Sequence, residues 1–124
     1  MKLISVIAIT LALTACNGSS AITNNNQNAK PSKEQQMISK RVNELIQEAK
    51  ETGDTRLLAT SGRKTTIPGL SQEEISKVEL CGGYRYFKNT GDEITSQEQR
   101  ESRKFSVEVM TEYNQIMLKN CKIN

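Results

Sequence analysis

The apolar positions of this chain change their period along its length, and each change marks an element. Met37, Ile38, Val42, Leu45, Ile46 and Ala49 recur three and four residues apart, with Lys33, Lys40, Glu44, Glu48 and Lys50 elsewhere, so one helical face is apolar. Ser32 and Gln35 have capping-box spacing, Glu34 suits the positive end of the helix dipole, and Gly53 supplies a stop. The pattern predicts a helix over 33–51 whose stripe faces a core. Residues 54–70 carry no clear period. Asp54 can cap one or two helical turns that bury Leu57, Leu58 and Ala59, after which Ser61-Gly62 ends them. Residues 63–69 read as loop or edge strand, closed by Pro68-Gly69. Ser71 and Glu74 form a second capping box, opening a helix with Ile75 and Val78 inward and Leu80 or Cys81 near its end. Gly82-Gly83 breaks or loosens it, because each glycine costs about 1 kcal/mol in a helix. Tyr84-Arg85-Tyr86-Phe87 then reads as strand or as continued helix, ahead of a turn at Asn89-Thr90-Gly91-Asp92. Thr95 and Glu98 make a third capping box for the longest helical pattern, over 96–120. Its apolar face is Phe105, Val109, Tyr113, Ile116 and Met117, with Met110 at the margin.

A run of another kind precedes these elements. From Leu3 to Leu13 only Ser5 and Thr10 interrupt Leu, Ile, Val and Ala, behind the single positive charge of Lys2. That is the layout of a secretory signal peptide. The run is too short to span a bilayer as a helix, which needs about 20 residues. It closes on Leu13-Thr14-Ala15-Cys16, which resembles the lipobox of bacterial lipoproteins. The resemblance covers residues 1–16. It implies removal of residues 1–15, a diacylglycerol on the Cys16 sulfur and, usually, acylation of the freed amine. Two or three acyl chains, at about 0.8 kcal/mol per buried CH₂, hold a protein durably to a membrane where one does not. Asn17 rather than Asp follows Cys16, and in enteric members of the family this implies the outer rather than the inner membrane. Residues 16–31 have few apolar side chains and an Asn-rich middle, and read as a flexible tether spanning roughly 20 Å. The expected folded domain is therefore 32–124.

Assigning Cys16 to lipid leaves Cys81 and Cys121, an even pair in an exported chain, which reads as one disulfide in an oxidising compartment. The bridge constrains the layout. A straight final helix carries Cys121 roughly 39 Å from its start. Residues 82–94 have to return over a similar distance, which an extended segment reaches at about 43–47 Å and a helix, at about 20 Å, does not. A bridge with a straight final helix thus favours an extended 84–90 lying along it. One continuous helix over 72–90 would need a bent final helix or separated cysteines. The extended arrangement is preferred.

Composition narrows the chemistry. Loss of residues 1–15 removes only Lys2 among the charges, leaving 16 basic and 14 acidic side chains and a net charge of about +2. That is too mild for an electrostatic nucleic-acid binder. The chain has no His, which removes Ser-His-Asp, Cys-His and most zinc arrangements. Ser61-Gly62-Arg63-Lys64 matches the Ser-x-x-Lys nucleophile motif of penicillin-binding proteins and serine β-lactamases, but the chain is too short for that two-domain fold and has neither companion motif. The hydroxyl-rich loop 60–66 around Arg63 and Lys64 also has the composition of an anion-binding loop, without phosphate-loop spacing. Asp92, Glu93 and Glu98 do not follow the ligand order of an EF-hand. Neither a cofactor nor a metal is expected, and the chain is not expected to be an enzyme.

The remaining candidate is Gly82-Gly83-Tyr84-Arg85-Tyr86-Phe87. Tyr and Arg are enriched at binding hot spots, and paired glycines permit close backbone approach. Alternation puts either Tyr84 and Tyr86 or Arg85 and Phe87 on the core equally well, and core packing rather than partner binding is the blander expectation for the cluster. The sequence therefore predicts a mainly α domain: a small bundle of about three helices with irregular or short extended connections, closed by one disulfide. Its expected role is that of a lipid-anchored, non-catalytic binding module of the cell envelope, of an inhibitor, immunity or exclusion type. The alternative is an accessory subunit of an envelope assembly. Arg63, Lys64, Tyr84, Arg85, Tyr86 and Phe87 are the candidate contacts to a protein partner.

Overall fold

The computed structural model describes residues 30–88 and 90–121. The lipobox, Cys16, residues 1–15 and the tether up to residue 29 lie outside the described residues. The elements run α1 (Lys33–Thr52), β1 (Leu57–Ala59), α2 (Gln72–Ile75), a 3₁₀ turn (Val78–Cys81), β2 (Tyr84–Tyr86) and α3 (Gln97–Cys121). This is a small, mainly helical fold.

The start of α1 is fixed by the Ser32 hydroxyl, which accepts from the Gln35 amide at 3.1 Å. Gln35 completes no box, because its side chain donates instead to Glu112 of α3 at 2.6 Å. Gly53 ends the helix at φ 73°, a left-handed conformation that favours glycine. Ile38, Val42, Leu45 and Ala49 of the stripe are buried, each side chain larger than alanine contributing about 1.5–3 kcal/mol. Met37, expected inward, is 56% exposed, since it lies one position off the buried row.

Leu57, Leu58 and Ala59 form a strand, not the helical turns that the sequence allowed. All three are fully buried, so both faces of β1 are covered and no alternation betrays it. β1 pairs in parallel with β2, in the register Leu57 to Tyr84, Leu58 to Arg85 and Ala59 to Tyr86. A parallel pair needs a crossover, and residues 60–83 supply it. Within the crossover, Ser71 and Glu74 form the full capping box, but α2 lasts one turn and Ile75 is 41% exposed rather than inward. Val78 and Cys81 of the 3₁₀ turn are buried, while Leu80 is exposed. The extended reading of 84–90 holds for Tyr84–Tyr86. It lets Cys81 meet Cys121 at the far end of a long final helix, with a Cα separation of 5.2 Å and a disulfide between them.

Ser96, not Thr95, caps α3, accepting from the Gln99 amide at 3.1 Å. The Gln99 side chain accepts from the Thr95 amide at 2.7 Å, so the hydroxyl cap is displaced by one residue from the one expected and Gln99 reaches back past it to Thr95. Val109, Tyr113 and Met117 are buried as expected, and Phe105 is half-buried. Met110, placed at the margin by its spacing, is fully buried, and Ile116 is 38% exposed. The core lies where α1, β1 and the 3₁₀ turn meet α3.

Asn114, also fully buried, sits inside this apolar face. Its carbonyl oxygen accepts from the Leu58 amide at 2.7 Å, and its Nδ2 donates to the Leu58 carbonyl at 2.9 Å and the Pro68 carbonyl at 2.9 Å. The side-chain amide therefore acts as a one-residue third strand on the edge of β1 that faces away from β2. A buried polar group with every partner in place stabilises; one left without partners costs about 1–3 kcal/mol.

Candidate surface at strand β2

β2 carries the candidate residues. Tyr84 is 42% and Tyr86 57% exposed, so the tyrosines face solvent instead of the core. Their rings meet edge to face with centroids 5.9 Å apart. Arg85 and Phe87 occupy the inward positions, both half-buried, with Phe87 against the core. An arginine can take an inward position here because acids await it. Arg85 lies 3.6 Å from Asp54 and 4.0 Å from Glu48. Its Nε is buried and makes an ion-pair approach to Asp54 that is too long to be a hydrogen bond.

Asp54 is held mainly by Arg56, whose Nε and Nη2 donate to the two carboxylate oxygens at 2.8 and 2.9 Å. The Arg56 hydrogen bonds draw the Asp54 carboxyl down to about 2, against a smaller opposing effect of burial. Beneath this cluster the Tyr113 hydroxyl donates to the Arg56 carbonyl at 3.3 Å, and burial pushes its phenol above the ordinary value.

The loop with Arg63 and Lys64 comes to the same region through Thr65, whose hydroxyl lies 3.4 Å from the Tyr86 hydroxyl. Arg63 and Lys64 are both exposed. The loop is stapled from behind. Thr90, fully buried, accepts from the Ser61 amide at 2.9 Å and donates to the Phe87 carbonyl at 2.7 Å, and Asp92 accepts from the Arg63 amide. The protein's own carboxylate thus occupies the place that an anion would take at this backbone. The Ser61 hydroxyl meets Thr90 at 3.2 Å, and no contact joins it to Lys64 among the described residues. The described residues hold no group of three or more metal-ligating side chains.

A cleft of about 510 Å³ opens between β2, α1 and the first half of α3. Leu45, Phe87 and Phe105 give it an apolar lining, and Arg41, Glu48, Arg85 and Lys88 give it charge. Sequence reasoning missed Arg41, Glu48 and Lys88, because α1 and β2 are brought together only by the fold. Lys88 directly follows the aromatic run and was the one accessible signal. A larger depression of about 730 Å³ lies over the turn before α3, beside Asp92, Glu93 and Arg103. No family model, no curated protein and no solved structure matches this chain.

Proposed function

We propose that this protein is a lipid-anchored, non-catalytic binding module of the bacterial cell envelope, of an inhibitor, immunity or exclusion type, held to the outer membrane through Cys16. The observation that carries the binding role is the outward presentation of Tyr84 and Tyr86 beside the Arg63–Lys64 loop. A small core gains from burying aromatic side chains, and two of the five in the chain are kept in solvent. Exposed aromatics grouped with cations are the composition of an interface hot spot.

The test is crosslinking in intact cells with native protein and a Tyr84→Ala/Tyr86→Ala double variant. Both side chains are exposed, so the variant keeps its fold, which circular dichroism checks. One stoichiometric partner, lost at least tenfold in the double variant, supports the reading. Capture that is indifferent to both tyrosines refutes this surface. A stable multi-protein complex instead assigns the chain as an accessory subunit. Cys16→Ser tests the anchor: the variant leaves the membrane fraction, and a processed variant that stays there refutes lipidation.

A further inference from the structure

We propose that the outer edge of β2 is a strand-addition site for an extended, acidic segment of a protein partner, a proposal that deepens the binding role above and rests on it. The register fixes which backbone groups are available. Leu57 donates to the Gly83 carbonyl at 3.0 Å and Phe87 donates to the Ala59 carbonyl at 2.9 Å. The intervening groups of Arg85 therefore also face β1, and the N–H and C=O groups of Tyr84 and Tyr86 face away from it. Those four groups have no hydrogen-bond partner among the described residues. The corresponding outward groups on β1, those of Leu58, are sealed by Asn114. Of the two edges of this sheet, only β2's remains open. An exposed strand edge is a template for another extended chain, with main-chain bonds supplying affinity and flanking pockets specificity.

The cleft beside that edge supplies the flanking chemistry. Leu45, Phe87 and Phe105 can receive apolar atoms, and Arg41, Glu48, Arg85 and Lys88 line its charged side. Arg85 is already met by Asp54 at 3.6 Å and Glu48 at 4.0 Å. Lys88 has no ion pair among the described residues, whereas Arg41 is already paired with Glu44 at 3.0 Å. Lys88 is thus the cation of this cleft without a carboxylate among the described residues, beside an edge with open backbone groups, so the occupant carries an acidic side chain to meet it.

A second copy of this chain does not fit. Antiparallel pairing of β2 with itself through Tyr84 and Tyr86 sets Arg85 directly opposite Arg85, and like charges so placed destabilise a strand pair. A lipid surface offers phosphate but no alternating backbone donors and acceptors to match the edge.

The test uses purified, oxidised protein and a fluorescein-labelled peptide alternating Thr and Glu. Its controls are a Thr–Lys peptide and a Thr–Glu peptide N-methylated at alternate positions. Saturable binding of the Glu peptide at least tenfold tighter than of the Lys peptide, lost on N-methylation, is expected. The Tyr84 and Tyr86 amide resonances shift on binding. Lys88→Glu, an exposed change, weakens binding by about tenfold. Equal affinity for both charge types, indifference to N-methylation or an unaffected Lys88→Glu variant overturns the proposal. So does binding to phosphatidylglycerol vesicles without binding to peptide, or self-association through β2. If cellular capture depends on the tyrosines while no peptide binds, strand addition falls and the binding role stands.

Discussion

Replacement of Asn114 by alanine removes the third-strand mimic that closes β1. Leu58 is fully buried, so its N–H and C=O lose their partners with no water to replace them. At about 1–3 kcal/mol for each of the two orphaned groups, the loss is about 2–6 kcal/mol. Pro68 is only half-buried, so the loss of its bond is not added to this figure. A folded unit of roughly 90 residues has about 5–14 kcal/mol in total, so the substitution removes a large part of the stability. Asn114→Leu separates the two contributions: it restores most of the volume but orphans the same groups, and it remains destabilised by at least about 2 kcal/mol. Urea unfolding of oxidised protein, followed by far-ultraviolet circular dichroism, reads both, and amide exchange at Leu58 reports the local bond directly. Gln115→Ala, one residue along on the exposed side, serves as control and stays within about 0.5 kcal/mol of native. A leucine variant as stable as the native protein would sink the reasoning, because it would mean that the edge of β1 needs no partner.

Removing the Cys81–Cys121 bridge by Ser substitution lowers stability by roughly 4 kcal/mol on the chain-entropy estimate for a loop of 40 residues, measured as a lower urea midpoint. The same change appears in native protein on reduction, as does a shift on a non-reducing gel. The carboxyl of Asp54 sits at about 2 in the folded protein against 3.8 normally, so its contribution is complete above about pH 4 and is lost as pH falls toward 2. Because Arg56 is largely exposed, the contribution is below about 1 kcal/mol, and Asp54→Asn flattens that limb of a pH–stability curve. Gly69→Ala combines a φ of +84° with a Cβ only 2.7 Å from the Thr111 carbonyl oxygen, and destabilises by about 2 kcal/mol or more in thermal unfolding. Gly53→Ala, at φ +73° with open space around it, costs about 1 kcal/mol.

Local signals read well wherever one face of an element meets water. The Ser32 and Ser71 caps, the Gly53 stop and the buried row of α1 all depend on residues within a turn of one another, and the sequence carries them. Reach and covalent geometry favoured the extension at Tyr84–Tyr86, since with a straight final helix an extended chain, and not a helical one, lets Cys81 meet Cys121. β1 was not legible, because Leu57, Leu58 and Ala59 are covered on both faces and a short apolar run without alternation fits helix and strand alike. Asn114 occupies a core position four residues after Met110 and four before Leu118, where spacing gives its place but not its partner 56 residues away. The outward turn of Tyr84 and Tyr86 followed from the register with β1 and from the acids that receive Arg85. None of these is visible from the run Tyr84-Arg85-Tyr86-Phe87 itself.

The position of the disulfide also decides how the domain bears tension. A pull applied at the amino-terminal side of α1 and at the end of α3 acts on a chain in which everything from Cys81 to Cys121 is covalently short-circuited. α1, β1 and the crossover can be drawn out in series, but β2 and α3 remain inside a closed ring. In a single-molecule stretching trace, oxidised protein therefore falls short of its full contour length by about 140 Å, the length of 40 extended residues, and a reductant restores it. The strand that carries the exposed tyrosines lies within that ring, so load on the amino-terminal end reaches the candidate binding edge last.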